Sequence, residues 1–454
     1  MIKSLKKYRV LRKIRSYLPS SFSRYYKEYQ KTRELLRQTE HLRPEELKEY
    51  QLKKLKFLIN YCWENIEGYR EYWEESNFHP EKVNSLEDLK KIPAISKDII
   101  RENIKKFSNT KLKNLVFQTT GGSTGTPFGF YVEEKQELIE KAFIHDLWSR
   151  FYPSISLKTK STILRGRMIP GNVYYDPLHG LILSSFNLTS ENVKYFIRAI
   201  EKYKTPILQA YPSSLYFFCK MMGRNDLKLD HKFECIMLGS EKLYDFQKEL
   251  IKGVFNAPIC HWYGHAEKTV LAGNCLTDEL FHVYPQYGIT EIIKPKGEDA
   301  DIGEKGEIVG TGFWNLATPF IRYKTMDFAE PGENRNKNCS IFYPVISNIE
   351  GRLQELIVGK SLNLISLTSL APFCGRFSDI EQFKFYQREI GKIELYYIRT
   401  DKEKKVNEHK IISSLGSVLG KNFEVRIEEV NKIPPTKAGK HNFLEQKLDM
   451  QEFM

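Results

Sequence analysis

The chain has 454 residues, 41% of them hydrophobic and 13% aromatic. It is too long for one compact core and too apolar for general disorder, so two or three domains are expected. The net charge of +13 is uneven: residues 1–50 hold 14 Lys/Arg against 6 Glu. The remainder is only mildly basic and carries no recognisable nucleic-acid-binding module, which argues against nucleic acid as a partner.

No run approaches the apolar length of a membrane span, and the N-terminus lacks the apolar block of a secretory signal. The seven cysteines (Cys62, Cys219, Cys235, Cys260, Cys275, Cys339 and Cys374) are scattered and odd in number. That pattern suits reduced thiols in a cytoplasm better than a disulfide framework.

Residues 1–20 contain a basic amphipathic helix. Ile2, Leu5, Leu11, Ile14 and Leu18 recur at helical spacing, with Lys and Arg crowded between them. Through residues 2–18 it could lie on an anionic membrane surface, dock on an acidic partner, or pack on the body of the protein.

From Arg43 to Lys106 the pattern is helical: Pro44 suits a first turn, and Leu47, Leu52, Leu55 and Leu58 mark the buried stripe. Ser85 and Ser96 both read as N-caps, with Pro93 between them.

A β-prone run, Leu115-Val116-Phe117, then leads into Thr119-Thr120-Gly121-Gly122-Ser123-Thr124-Gly125-Thr126-Pro127, and Phe128–Val132 leaves with strand-like alternation. Glycines that turn N–H groups towards an anion, with hydroxyls beside them, suit a polyphosphate. The string is not a Walker A motif. Alone, it reads as an ordinary flexible turn rather than a nucleotide loop.

Beyond the loop, short apolar runs alternate with amphipathic helices, as in an α/β domain. A helix runs from Ser190 through Ile200. Ile207-Leu208 leads into Tyr211-Pro212-Ser213-Ser214-Leu215, and Cys235–Leu238 closes on Gly239-Ser240-Glu241. Another turn of this kind is Tyr263-Gly264-His265-Ala266-Glu267. Such junctions lie at strand C-terminal ends, where α/β folds bind ligands.

Residues 301–352 are glycine-punctuated and strand-rich, and Pro331–Ser340 reads as a surface loop. About 353–454 alternates strands and helices (Ile393–Ile398, His409–Val418, Phe423–Val430). Near the end, Pro434-Pro435-Thr436-Lys437-Ala438-Gly439-Lys440 forms a rigid turn presenting a lysine.

These fragments, in this order, resemble the adenylate-forming (AMP-binding) enzymes. Within them the chain is similar to the phenylacetate–CoA ligase-like group, and to its CapK-like capsular-polysaccharide branch in particular. The Gln51–Leu55 helix, Leu89-Lys90-Lys91-Ile92-Pro93 and Tyr211–Leu215 carry the likeness to that branch. It implies an α/β fold: a large multi-sheet adenylation domain over 1–352 with a helical N-terminal extension, and a small, mobile α/β domain over 353–454 joined by a hinge.

The resemblance also implies roles. Thr119–Thr126 would hold the β- and γ-phosphates of ATP, with Thr126 standing where many members have lysine. Gly239, Ser240 and Glu241 would line the adenine, and Tyr263, beside Gly264, would stack on it. Glu267 would help hold Mg²⁺, and Asp327 would accept both ribose hydroxyls. The family more often has Arg and Gly where Lys324 and Met326 stand. Arg352 would lie near the ribose and hinge, and Lys440 would reach into the site as the catalytic lysine.

Some members of the group hold a structural zinc with a cysteine, a following histidine and a Cys-x-Cys pair. Cys275 and His282 occupy comparable positions, but only Cys339 stands for the pair. Four ligands make a structural site, so zinc is expected to be absent or weakly held.

The implied reaction is ATP-dependent activation of a small-molecule carboxylic acid. The acyl group would pass to a sugar, an amine or CoA, in cell-surface polysaccharide assembly or as in a plain acyl-CoA ligase. A non-catalytic scaffold in glycan assembly is the reading from a different class. Arg165 and Arg167 read as solvated loop residues within reach of an acidic substrate.

Overall fold

A computed structural model describes residues 25–450, except 120–127, 168, 170, 278, 333–338, 340, 353–355, 363, 367–378, 402, 404 and 437–440. The basic stretch 2–18 lies outside the described residues.

The first segment is helical: α1 Tyr26–Thr39, α2 Pro44–Asn65 and α3 Glu67–Glu75. Pro44 sits in the first turn of α2, and Glu46 reaches back to accept the Arg43 N–H at 2.9 Å. Leu47, Leu55, Leu58, Ile59 and Cys62 form its buried stripe, as the leucine spacing predicts.

Ser96 caps α4 (Lys97–Glu102), accepting the Ile99 N–H at 3.5 Å. Ser85 does not act in the same way. The Asp88 carboxylate accepts the Asn84 and Ser85 N–H groups at 2.8 and 2.9 Å, and the segment closes as a 3₁₀ turn over Glu87–Lys91. The Ser85 hydroxyl donates to the same Asp88 oxygen at 3.3 Å, turned towards the carboxylate rather than the following N–H groups.

The hairpin β1 (Leu115–Thr119) and β2 (Gly129–Glu133) follows, then α5 (Gln136–Ser149). A Cβ at Gly129 would meet the tip of the exposed Phe117 ring, which would have to move aside.

The second segment holds β3 (Ser161–Arg165), β4 (Val173–Asp176), β5 (Gly180–Ser184), α6 (Val193–Tyr203), β6 (Ile207–Ala210), α7 (Pro212–Arg224), β7 (Cys235–Gly239) and α8 (Asp245–Phe255). The third holds β8 (Ile259–Gly264), β9 (Leu271–Gly273), β10 (Phe281–Val283), β11 (Gly288–Ile293), β12 (Gly306–Gly312), β13 (Tyr323–Pro331) and β14 (Val345–Arg352). The fourth holds β15 (Leu356–Val358), β16 (Leu364–Ser366), β17 (Ile380–Glu389), β18 (Lys392–Arg399), α9 (Glu408–Leu419), β19 (Glu424–Glu429) and β20 (Leu444–Gln446). No described helix is long and apolar enough to cross a membrane.

The described residues form two compact units, one of residues up to 159 with 260–349 and one of 160–259 with 350 onward. In the first, strands run in the order β11-β12-β13-β14-β10-β9-β8. Its core joins Leu55, Tyr69 and Trp73 of the helices to Phe128, Phe130, Phe320 and Tyr323. Each such side chain, fully buried, stabilises the fold by about 1.5–3 kcal/mol.

In the second unit the order is β7-β6-β3-β5-β4, parallel except for the antiparallel edge strand β4. Parallel strands are covered on both faces, which explains why Gly180–Ser184 and Cys235–Gly239 are buried throughout. The C-terminal sheet β19-β18-β17-β20 belongs to this unit. Phe385, Leu395 and Leu444 share a core with Phe196, Leu208, Phe218 and Ile236.

Lys220 of α7 reinforces that packing by donating to the carbonyls of Ile380 (2.6 Å) and Glu381 (3.3 Å). Burial pushes its pKa down to about 8. Arg224 adds an ion pair to Glu381.

Candidate functional site

In the first unit a polar cluster forms where β8 ends and β13 passes. Tyr263, on β8, donates its hydroxyl to Asp327 Oδ2 of β13 at 2.7 Å. Burial, and then the Asp327 charge, hold the phenol pKa far above its ordinary value, so Tyr263 stays a neutral donor. The ring and the carboxylate are thereby fixed to each other.

The turn after Gly264 carries Glu267, which is buried and still ionised. Burial alone would raise its pKa. The hydrogen bond and charge of His265, the Lys97 charge and a backbone N–H outweigh it and bring the pKa to about 2. His265 Nδ1–H donates to Glu267 Oε2 at 3.1 Å, and His265 Nε2 pairs with the Thr269 hydroxyl at 3.0 Å. The Tyr323 hydroxyl donates to Glu267 Oε1 at 2.9 Å, and Lys97 Nζ lies 3.8 Å from the same oxygen.

Lys97 also stands 5.7 Å from the ring centroid of Phe128, the residue that follows the glycine-rich loop. Lys97 and Tyr323 carried no site role in the sequence reading. Their only signal was position: Lys97 follows a helix cap, and Tyr323 opens the Tyr-Lys-Thr-Met-Asp string.

The backbone that presents Asp327 is strongly braced. Buried Arg322 grips Glu291 through Nε (3.0 Å) and Nη2 (2.9 Å), and its Nη1 donates to the carbonyls of Lys90 (3.1 Å) and Ile92 (2.6 Å). The string Leu89–Pro93 thus supplies acceptors to the strand that bears Asp327. Met326 adopts φ +65°, the left-handed conformation, and its N–H donates to Glu307 at 2.9 Å. The backbone there has the shape a glycine would take, held by a residue that strains to adopt it.

In the second unit β7 ends at Gly239, and Ser240 turns with φ +69°. Glu241 then points its carboxylate at the start of α7, where Oε2 accepts the Ser213 N–H at 2.9 Å. This side chain caps a helix, a role the adenine-lining expectation did not include. The Ser213 hydroxyl in turn accepts the His441 N–H at 3.2 Å, which sets the residue after Lys440 beside α7. Burial, then Lys384, push the His441 imidazole pKa down to about 4. At the end of β3, the Arg165 guanidinium lies 5.4 Å from the Tyr211 ring centroid.

Thr119 ends β1, and Thr120, Gly121, Gly122, Ser123, Thr124, Gly125 and Thr126 lie outside the described residues, as does Lys440. Arg352 is the last residue of β14.

Cys275, His282 and Cys339 come together as expected, buried, with ligand atoms within 4.8 Å of one another. The two Sγ atoms are 3.7 Å apart, and Cys339 Sγ is 3.8 Å from His282 Nε2. That spacing matches an edge of a tetrahedron around Zn²⁺ with bonds of about 2.3 Å. The described residues supply three ligands, one short of a closed structural site.

Glu267 fits a Mg²⁺ role on its chemistry. It is an ionised oxygen donor with lone pairs beyond those its partners use, and one carboxylate with substrate phosphates is a usual Mg²⁺ set.

The chain is similar to several known proteins. The family model for the CapK C-terminal domain matches residues 357–447. Protein CapK of Staphylococcus aureus is 26% identical over 92% of this chain and 91% of its own. A phenylacetate–coenzyme A ligase of Escherichia coli (strain K12) is 28% identical over 70% of this chain and 74% of its own. Among solved structures, 2-hydroxyisobutyryl-CoA ligase, in the postadenylation state in complex with 2-HIB-AMP, superposes with a TM-score of 0.71. It shares 16% identity over 96% of this chain and 95% of that one, a likeness of fold.

Proposed function

We propose, from the premise that this chain is a CapK-like member of the phenylacetate–CoA ligase-like group of ATP-dependent, AMP-forming ligases, that it activates a carboxylic acid for acyl or aminoacyl modification of a cell-surface polysaccharide. One observation carries the reading. Tyr263, Glu267 and Asp327 stand in one polar cluster, with the ring tied to Asp327 and Glu267 buried yet ionised.

In this reading a carboxylate oxygen of the acid attacks the α-phosphorus of ATP, an O–P bond forms, and the bond to pyrophosphate breaks. Asp327 accepts the ribose hydroxyls and the Tyr263 ring lies against adenine, each keeping the other in place. Glu267 helps hold Mg²⁺, which neutralises phosphate charge. Thr119–Thr126 cradle the β- and γ-phosphates, Gly239–Glu241 border the adenine, and Arg352 lies near the ribose. Lys440 bridges the attacking carboxylate and the α-phosphate, where two anions would otherwise repel.

In this reading 353–454 acts as a small domain that brings Lys440 for adenylation and withdraws it for acyl transfer, which requires its core shared with 160–259 to open. Cys275, His282 and Cys339 are a vestigial zinc site, holding metal too weakly for recovery with the protein. Stoichiometric zinc in the purified protein would contradict that.

The deciding experiment is ATP–pyrophosphate exchange across aromatic, fatty, hydroxy and amino acids. Exchange with one class establishes adenylation, and acyl-CoA on adding CoA would select the CoA-ligase alternative over a sugar or amine acceptor. Silence with every acid would favour a scaffold in glycan assembly.

A further inference from the structure

Three parallel strands of the second unit end side by side: β3 at Arg165, β6 at Ala210 and β7 at Gly239. The crevice beyond such ends is where open α/β sheets take ligands. Arg165 is half-buried there, stacked on the Tyr211 ring. Its Nε is shielded from water and has no hydrogen-bond partner among the described residues, and it forms no ion pair with any of them.

Arg167 is folded back against it by a tight turn in which the Arg167 N–H donates to the Arg165 carbonyl at 2.8 Å. The nearby carboxylate, Glu241, caps α7. That bond takes its Oε2, and two arginine charges stand against this one carboxylate charge.

A shielded guanidinium Nε with no acceptor is costly, and burial pushes the Arg165 pKa below its ordinary value. The planar fork of arginine matches a carboxylate or phosphate through two parallel hydrogen bonds, and the Tyr211 ring holds that plane in position. Such a clamp does not suit the carboxyl being activated. Paired to a guanidinium through both oxygens, that group would be a poorer nucleophile towards phosphorus. It suits a group on the same molecule that does not react.

We infer that Arg165 is a specificity-determining residue of the acid pocket, and that the acid activated here carries a second anionic group, a dicarboxylate being its simplest form. This rests on the acid-activating reading above.

The test pairs acids of one skeleton: succinate with butyrate, glutarate with pentanoate, and 4-carboxyphenylacetate with phenylacetate. Pyrophosphate exchange is measured for wild type, Arg165→Gln and Arg165→Lys, and binding of each acid is measured calorimetrically without ATP. Wild type should favour the diacid of at least one pair by about tenfold to a hundredfold in kcat/KM, the worth of one charged bidentate contact.

Arg165→Gln should bring that ratio near one, mainly through KM, and Arg165→Lys should recover part of it. Equal or better use of every monoacid by wild type would overturn the inference. So would loss of both members of a pair alike in a variant that melts as wild type does. Arg165-dependent binding of a diacid with no exchange would sink the adenylation reading and keep Arg165 only as a diacid-binding residue. Neither binding nor exchange would sink both.

Discussion

Glu267→Gln removes one charge and almost no volume, so it isolates what ionisation at this position contributes. The carboxyl pKa is about 2 in the fold against an ordinary 4.5. A group with a depressed folded pKa stabilises fully above its unfolded value and loses that contribution as pH falls towards the folded one. The gap corresponds to about 3 kcal/mol at neutral pH and about 1 kcal/mol at pH 3. Glutamine can still accept from Tyr323, but its amide cannot accept from His265 as a carboxylate does, and Lys97 loses its counter-charge.

Urea unfolding at pH 7, 5, 4 and 3 should therefore show a wild-type advantage that shrinks by about 2 kcal/mol from neutral to acid pH. A gap constant across that range would refute the assignment of a low pKa to Glu267. The same variant should need on the order of tenfold more Mg²⁺ for half-maximal pyrophosphate exchange, comparable to other losses of metal-site support. An unchanged Mg²⁺ midpoint would leave Glu267 a structural carboxylate only.

Three further outcomes are expected. Arg322→Ala leaves Glu291 buried without its partner and frees two carbonyls, so urea unfolding should report a loss of about 3–5 kcal/mol; Glu291→Gln in the same background should restore part of it. Met326→Val should destabilise by about 1–2 kcal/mol, because a branched Cβ tolerates φ +65° poorly, whereas Met326→Gly should stay within about 1 kcal/mol of wild type. Lys440→Ala should lower exchange by about 10²–10³ with an unchanged melting midpoint, and near-wild-type exchange would remove Lys440 from the mechanism.

Much of this was legible in the chain where one period or one string decides the outcome. The leucine stripe of α2 and the apolar runs of β6 and β7 marked their elements because burial on one face or on two writes directly into sequence. Glu267 and Asp327 were legible as positions within short strings. Their partners were not. Lys97 reads as an ordinary residue behind a helix cap, and its meaning comes from Glu267, 170 residues away.

Ser85 and Ser96 look equivalent on paper, and only the reach of Asp88 separates a 3₁₀ turn from a helix. Glu241 was legible as a turn residue after β7, but not that its carboxylate caps α7. The joining of 350–450 with 160–259 depends on a core shared between distant segments, which no local pattern encodes.

The substitution of Thr126 for lysine seemed to leave the phosphate side of the site short of fixed positive charge. Lys97 changes that balance. Its side chain is largely buried, it stands 3.8 Å from Glu267, and it borders Phe128, the first described residue after the loop. A buried lysine beside a buried carboxylate is near neutral as a pair, and each keeps the other ionised. If Glu267 holds a metal on a phosphate as proposed, the carboxylate would face that cation and the ammonium of Lys97 the phosphate. The cation that Thr126 does not provide would then come from α4.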